Sequence, residues 1–216
     1  MRKIAALLFI VLAYSACKNG DANSRLPIYG NRDTKNVVVN GKTVVDTVYQ
    51  TIPAFRFVNQ YGDSITENSL KGDIYVADFF FTTCPSICPI MHRNMLKVYA
   101  DFKNVPDVKI LSHSIDPKHD SVKVLKAYAD KLGISGNTWW LLQGKKEETY
   151  NLAQSYLTRR PEESAKDLFI HDGLFLLIDK QKRIRGSYDG TDEKETERLI
   201  ADIKKLRAET NTEIAQ

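Results

Sequence analysis

The sequence predicts an α/β fold: a central mixed sheet flanked by helices, with an extra N-terminal β-hairpin. Three patterns predict it. Ile74 to Phe81 and Val108 to Ile115 are near-continuous apolar runs of strand length, as expected of strands covered on both faces. Segments of helical period separate the strand-like runs, which calls for parallel strands joined by crossovers. Asn40-Gly41, set between two valine-rich segments, marks a two-residue hairpin turn that matches strand twist.

The elements follow in order. Val37-Val38-Val39 and Thr43-Val44-Val45 flank the Asn-Gly turn. Phe55-Arg56-Phe57-Val58 alternates as a strand, and Tyr61-Gly62-Asp63 turns it back. Ile74 to Phe81 is a central strand broken only by Asp78. A helix follows over roughly Ile87 to Phe102, with Ile90, Met91, Met95, Val98 and Phe102 as its apolar stripe. Val108 to Ile115 is the second central strand, ended by Asp116-Pro117. Asp120 or Ser121 caps a helix to about Leu132, with Val122, Leu125 and Tyr128 turned inward. Trp139 to Leu142 is a short strand, and a helix spans about Glu147 to Leu157. Thr158 to Phe169 reads as a charged loop. Leu174 to Ile178 and Arg183 to Tyr188 form a second hairpin around Asp179-Lys180-Gln181. Thr191 caps a final helix that buries Leu199, Ile200, Ile203 and Leu206. A strand that delivers a cysteine pair into a helix start, with a terminal β-β-α, is a thioredoxin-like plan.

The chain starts with a leader pattern. Met1-Arg2-Lys3 is basic, Ile4 to Tyr14 is apolar, and Ser15-Ala16 precede Cys17. This is a secretory layout with an apolar stretch too short to span a bilayer comfortably. The cysteine after small residues resembles a lipobox, so Cys17 is expected to be lipidated after residues 1–16 are removed. Residues 17–34 are polar and turn-rich, as a flexible tether is. Residues 35–208 form the domain, and 209–216 a polar tail. The expected location is the cell envelope, with the domain on the periplasmic or extracytoplasmic side of its membrane.

Cleavage removes two of the 31 basic residues, leaving 29 against 27 acidic. Near-balanced, interleaved charge describes a solvated surface, gives no support for a nucleic-acid partner, and none is expected.

Cys84 and Cys88 carry the chemistry. They sit four apart in Phe79-Phe80-Phe81-Thr82-Thr83-Cys84-Pro85-Ser86-Ile87-Cys88-Pro89, and one helical turn sets both sulfurs on one face. With Cys17 lipidated, they are the only remaining pair. A disulfide closing so short a loop removes little chain entropy, so it is a poor staple. A thiol at a helix N-terminus is expected to have a lowered pKa, and thiolate serves both disulfide exchange and soft-metal binding. Thioredoxin-like reductases place two residues between their cysteines, and here there are three. The peroxiredoxin pattern Pro-x-x-x-Thr-x-x-Cys fails from either cysteine. Two thiolates suit Cu(I), and a nitrogen ligand would complete a trigonal site. His171, just before a strand that lies beside the helix start in this plan, is the first choice. His92 is deeper along the helix, His113 lies inside a central strand and His119 is in a polar turn. Met91 is a thioether near the thiols. Asp116 and Asp120 flank a turn at the same end of the sheet.

The stretch Asp78 to Met91, with Ser114-Ile115-Asp116-Pro117, Asp120 and His171 before Leu176-Leu177-Ile178-Asp179, resembles the signature of Sco/SenC proteins. The resemblance covers roughly residues 50–206. It implies a copper-binding, thioredoxin-like protein in bacterial lipoprotein form, which helps assemble the CuA centre of a respiratory cytochrome c oxidase. It implies Cys84, Cys88 and His171 as ligands for Cu(I) or Cu(II). It further implies subunit II of the oxidase, with its apo CuA site, and a copper donor or thiol reductant as partners. Asp172 stands where relatives commonly carry a small hydroxyl residue, which would alter local charge. A thiol–disulfide oxidoreductase using Cys84 and Cys88 without metal is the rival reading, and a tethered binding module with the pair as a disulfide is the third.

Overall fold

A computed structural model describes residues 25–164, 168–170 and 172–214. Its order is β1 (Arg32–Val39), β2 (Lys42–Tyr49), β3 (Arg56–Asn59), β4 (Ser64–Thr66), β5 (Ile74–Phe80), α1 (Cys88–Phe102), β6 (Val108–Ser114), α2 (Val122–Leu132), β7 (Trp139–Gln143), α3 (Lys146–Ser155), β8 (Glu162–Ser164), β9 (Leu168–Ile170), β10 (Leu174–Ile178), β11 (Ile184–Asp189) and α4 (Glu193–Ile214). Seven strands make one mixed sheet, ordered β11-β10-β5-β6-β7-β3-β4. β5, β6 and β7 are parallel, and the flanking strands are antiparallel.

Every residue of β5 is buried, which is why its sequence is apolar without alternation. Asp78 is the one polar interruption. It accepts a hydrogen bond from Ser112 Oγ at 2.5 Å, and Ser112 accepts one from Trp139 Nε1 at 2.9 Å. A carboxylate in mid-sheet is thus tied to the neighbouring strand β6 and, through Ser112, to β7 beyond it. α1 packs on α4 and β6, and α2 on β7 and β3. Ser121 caps α2 by accepting from Val124 N–H at 3.4 Å, and Gly133 ends it in the left-handed region at φ 71°. The Asn40-Gly41 turn has φ of 51° and 75°, as a primed two-residue turn demands.

Several expectations need correction. Thr158 to Phe169 is no plain loop, since β8 and β9 pair antiparallel within it. Asp192, not Thr191, caps α4: its Oδ1 accepts from Lys194 N–H at 2.7 Å, while Thr191 bonds Asp189. Ile90 is exposed, because it lies off the buried stripe that Met91, Met95, Val98 and Phe102 form. The expected tether is held to the domain from Leu26 onward. Arg185 donates to Leu26 O at 2.6 Å and Pro27 O at 3.0 Å, and Tyr29 bridges Ile184. The expected tail is helical as far as Ile214, and Glu209 accepts from Leu26 N–H at 2.6 Å. Among the described residues no helix is long and apolar enough to cross a membrane.

The ends of α1, β10 and β11 converge through two glycines. Gly190 N–H donates to Gly173 O at 2.7 Å, and Asn94 Nδ2 of α1 donates to Gly190 O at 2.9 Å. A Cβ on Gly190 would lie 2.8 Å from the Phe175 ring and 3.0 Å from Gly173 O. Gly190→Ala is therefore expected to lower stability by about 1–3 kcal/mol, read as a lower urea midpoint at unchanged slope. An unchanged midpoint would show that this junction has slack.

Candidate metal centre

β5 hands the chain to the turn Phe81-Thr82-Thr83. Cys84 N–H closes that turn on Phe81 O at 3.2 Å. Cys88 opens α1 and Pro89 takes its second position, where a missing N–H costs nothing. Both cysteines are thiols, not a disulfide. Cys88 is 1% exposed and Cys84 8%. Thr83, Pro85 and Ser86 around Cys84 are exposed, so the cover over this sulfur is thin. Cys84 Sγ lies 3.7 Å from Ser86 Oγ.

The two thiols are not equivalent. A hydrogen bond with the Cys84 sulfur pushes the Cys88 pKa well up, and burial adds to it. The charges of Cys84 and Asp78 push the same way, while a backbone hydrogen bond with Phe81 opposes them. The expected lowering at a helix N-terminus therefore fails for Cys88, because its neighbour and its burial outweigh the helix dipole. Cys88 is the thiol that keeps its proton.

The turn before Cys84 is clamped by Asp120. Its Oδ2 accepts from Thr82 N–H at 3.2 Å and Ser114 Oγ at 2.5 Å, and its Oδ1 accepts from the Thr82 hydroxyl. Burial raises the Asp120 pKa against the pull of these donors. The sequence marks Asp120 as a turn or cap residue and as part of the family resemblance, and the bond to Thr82 needed the fold.

Asp116 bonds within its own turn, where its N–H donates to Ser114 Oγ at 3.2 Å. It is buried in its own turn, 2.7 Å from His119 Nδ1, and His119 is exposed. Asp172 Oδ2 accepts from Arg159 N–H at 2.6 Å, so it ties the β10 side of the β8–β9 excursion to its entry. Met91 is fully buried, and a Cβ on Gly173 would lie 3.6 Å from its sulfur and 3.3 Å from Ile87 Cδ1. The chain just before β10 therefore touches the first turn of α1. His171 and Cys17 lie outside the described residues. Among the described residues, no group of three or more His, Cys, Asp and Glu could hold a metal ion.

His92 and His113 are core. His92 is 1% exposed, and its Nδ1 lies 2.8 Å from Tyr128 OH. Burial pushes its pKa down to about 4, against the charge of Cys84. Burial likewise raises Tyr128 to about 12, helped by the charges of both cysteines. His113 is caged by Phe55, Phe57, Phe79 and Tyr156 and makes no hydrogen bond among the described residues. Burial pushes it down to about 3.

A thioredoxin-like sheet that presents an unequal dithiol at a strand-to-helix junction defines a thiol or soft-metal protein. The SCO1/SenC family model matches residues 45–208, and the chain belongs to that family. The SCO1 protein homolog of Bacillus subtilis is 32% identical over 170 residues, covering 76% of this chain and 86% of the relative. A SCO1/SenC family lipoprotein from Bacillus anthracis is 32% identical with a TM-score of 0.67, covering 73% of this chain and 95% of that one. BsSco, described as a member of the Sco family of cytochrome c oxidase assembly proteins, is 31% identical with a TM-score of 0.64, covering 73% and 93%. Arabidopsis thaliana ScoI with copper bound shares the fold at 23% identity and a TM-score of 0.60, covering 70% and 97%.

Two measurements check the electrostatics. Iodoacetamide near neutral pH should modify Cys84 before Cys88, because Cys84 is the more exposed and Cys88 keeps its proton; the reverse order by peptide mapping would contradict the assignment. His92 and His113 have folded pKa values of about 4 and 3, below the ordinary 6.5. The unfolded chain thus binds more protons once pH falls below about 6.5. Stability should drop from there toward pH 4 by up to about 1.4 kcal/mol per pH unit for each histidine. His113→Phe should shrink that slope, and a urea midpoint flat across the window would refute two buried neutral histidines.

Proposed function

We propose that this chain is an envelope-anchored copper chaperone. It holds copper through Cys84, Cys88 and His171 and delivers it to the CuA site of subunit II of a cytochrome c oxidase. The observation that carries this is the pair of thiols in hydrogen-bond contact under thin cover at the β5–α1 junction. Paired sulfurs suit a soft ion of low coordination number. Thin cover suits a cargo that must leave by ligand exchange, since a partner's thiols have to reach it. The position of Gly173 against Ile87 and Met91 supports His171 as the nitrogen donor from the facing segment. Cys88 gives up its proton as the ion enters, and the Asp120 clamp keeps Cys84 in place. The family membership and the copper-bound relative favour copper as cargo. The leader pattern, and the lipoprotein description of the Bacillus anthracis relative, support an anchor at Cys17.

The inequality of the thiols favours a second reading, a thiol–disulfide reductant that prepares the target's cysteines. Cys84 would attack and Cys88 resolve, transferring two electrons to the target disulfide while Cys84 and Cys88 become one.

Cu(I) titration against a chromophoric chelator decides the first reading. Cys84→Ala and Cys88→Ala should each weaken binding by on the order of a hundredfold or more, and His171→Ala by at least about tenfold. Affinities equal to the parent in all three would refute it. A His171→Ala chain that loses copper yet supports full oxidase assembly would select the reductant.

A further inference from the structure

The β1–β2 ribbon stands apart from the site. It pairs without a bulge from Arg32↔Tyr49 to Val39↔Lys42 and joins no other strand among the described residues. Every side chain in it except Val37 and Tyr49 is exposed. Val38 and Val45 are 72% and 69% exposed, and Val39, Val44 and Val48 are 51%, 42% and 41%. A lone two-stranded ribbon is marginal in water, because three strands or a packed face are needed to bury enough. The ribbon also lacks the usual edge protection of proline or a bulge. The family match begins at residue 45, inside β2, so β1 and the turn lie outside it.

The register says how a further strand would add. A two-residue turn makes Val39 and Lys42 a hydrogen-bonded pair, so alternate residues of β2, Thr43, Val45 and Thr47, aim their backbone groups outward. We propose that β2 is the pairing edge for a second copy of this chain, antiparallel about a two-fold axis at Val44. Val44 then meets the partner's Val44. Thr43 exchanges backbone hydrogen bonds with the partner's Val45. Lys42 lies opposite the partner's Asp46 on the same face. Asp46 already has Lys35 at 3.7 Å within its own ribbon, so each carboxylate gains a second cation. The contact is isologous, since each residue meets its counterpart's counterpart on the other copy. It turns two bare ribbons into a four-stranded sheet, with Val37, Val39 and Val44 of both copies on one face. This charge complementarity is what selects a second copy as the occupant.

Sedimentation equilibrium of the full chain in density-matched detergent tests the pairing. The parent should be a dimer. Asp46→Lys, which sets lysines opposite one another, should weaken dimerisation at least about tenfold, and Lys42→Asp with Asp46→Lys should restore it. Cu(I) affinity, read in parallel, should stay at the parent value in both and report an intact fold. A parent that is monomeric at every concentration would overturn the proposal. So would a dimer indifferent to both variants, or a ribbon that binds vesicles but not its own copy.

Discussion

The Asp120 carboxylate is the constraint on which the site depends. Three donors from two segments converge on it: the Thr82 amide and hydroxyl from the turn after β5, and the Ser114 hydroxyl from the end of β6. A buried carboxylate with no donors would cost several kcal/mol, so any rearrangement of the turn that strips them is expensive. Apolar packing would tolerate a sliding turn, whereas a charge-assisted node does not. The turn leads directly to Cys84, so the node sets where the first sulfur stands. The second sulfur is set by the first turn of α1 and by its hydrogen bonds with the Cys84 sulfur and the Phe81 backbone. The spacing of the pair is thus fixed by two linked devices meeting in one loop.

Those devices also explain why the sulfurs differ. Cys84 sits on the loop side, under exposed Pro85 and Ser86. Cys88 sits on the helix side, above the buried face of β5 and near Asp78. The helix dipole is worth a fraction of a kcal/mol to about 2 kcal/mol, and burial beside a second sulfur and a carboxylate exceeds that. Asymmetry of this kind is usable in either reading. A chaperone needs one ligand a partner can reach first, and a reductant needs one thiol to attack and one to wait.

Much of this was legible in the sequence, and the failures have physical causes. β5, β6 and the Asn40-Gly41 hairpin were readable because burial on both faces and turn chemistry are local signals. Thr158 to Phe169 has no clean alternation, and its charged residues concealed β8 and β9. Thr191 and Asp192 are both good caps, and only geometry separates adjacent candidates. The Cys88 shift depends on which atoms surround the sulfur, which helix position alone does not encode. Asp120 was visible as a turn residue, but its bond to Thr82 spans 38 positions. His113 was readable as a residue inside a central strand, but its aromatic cage draws on Phe55 and Phe57, more than fifty residues away in sequence.

The junction before β10 shows how a two-segment site is kept in register without a direct tie. Asn94 reaches from α1 to Gly190, and Gly190 reaches to Gly173. The helix that begins with Cys88 is thereby bonded, through one glycine, to the strand start that follows residue 171. Gly190 is needed for reasons of space, since a Cβ there would meet Phe175 and Gly173 O, while one on Gly173 would come 3.3 Å from the end of the Ile87 side chain. Asp172, bonded to Arg159, faces away along the β8–β9 excursion. Residues 172 and 173 are thereby held from two directions, Asp172 by the Arg159 amide and Gly173 against Ile87 and Met91 at the start of α1.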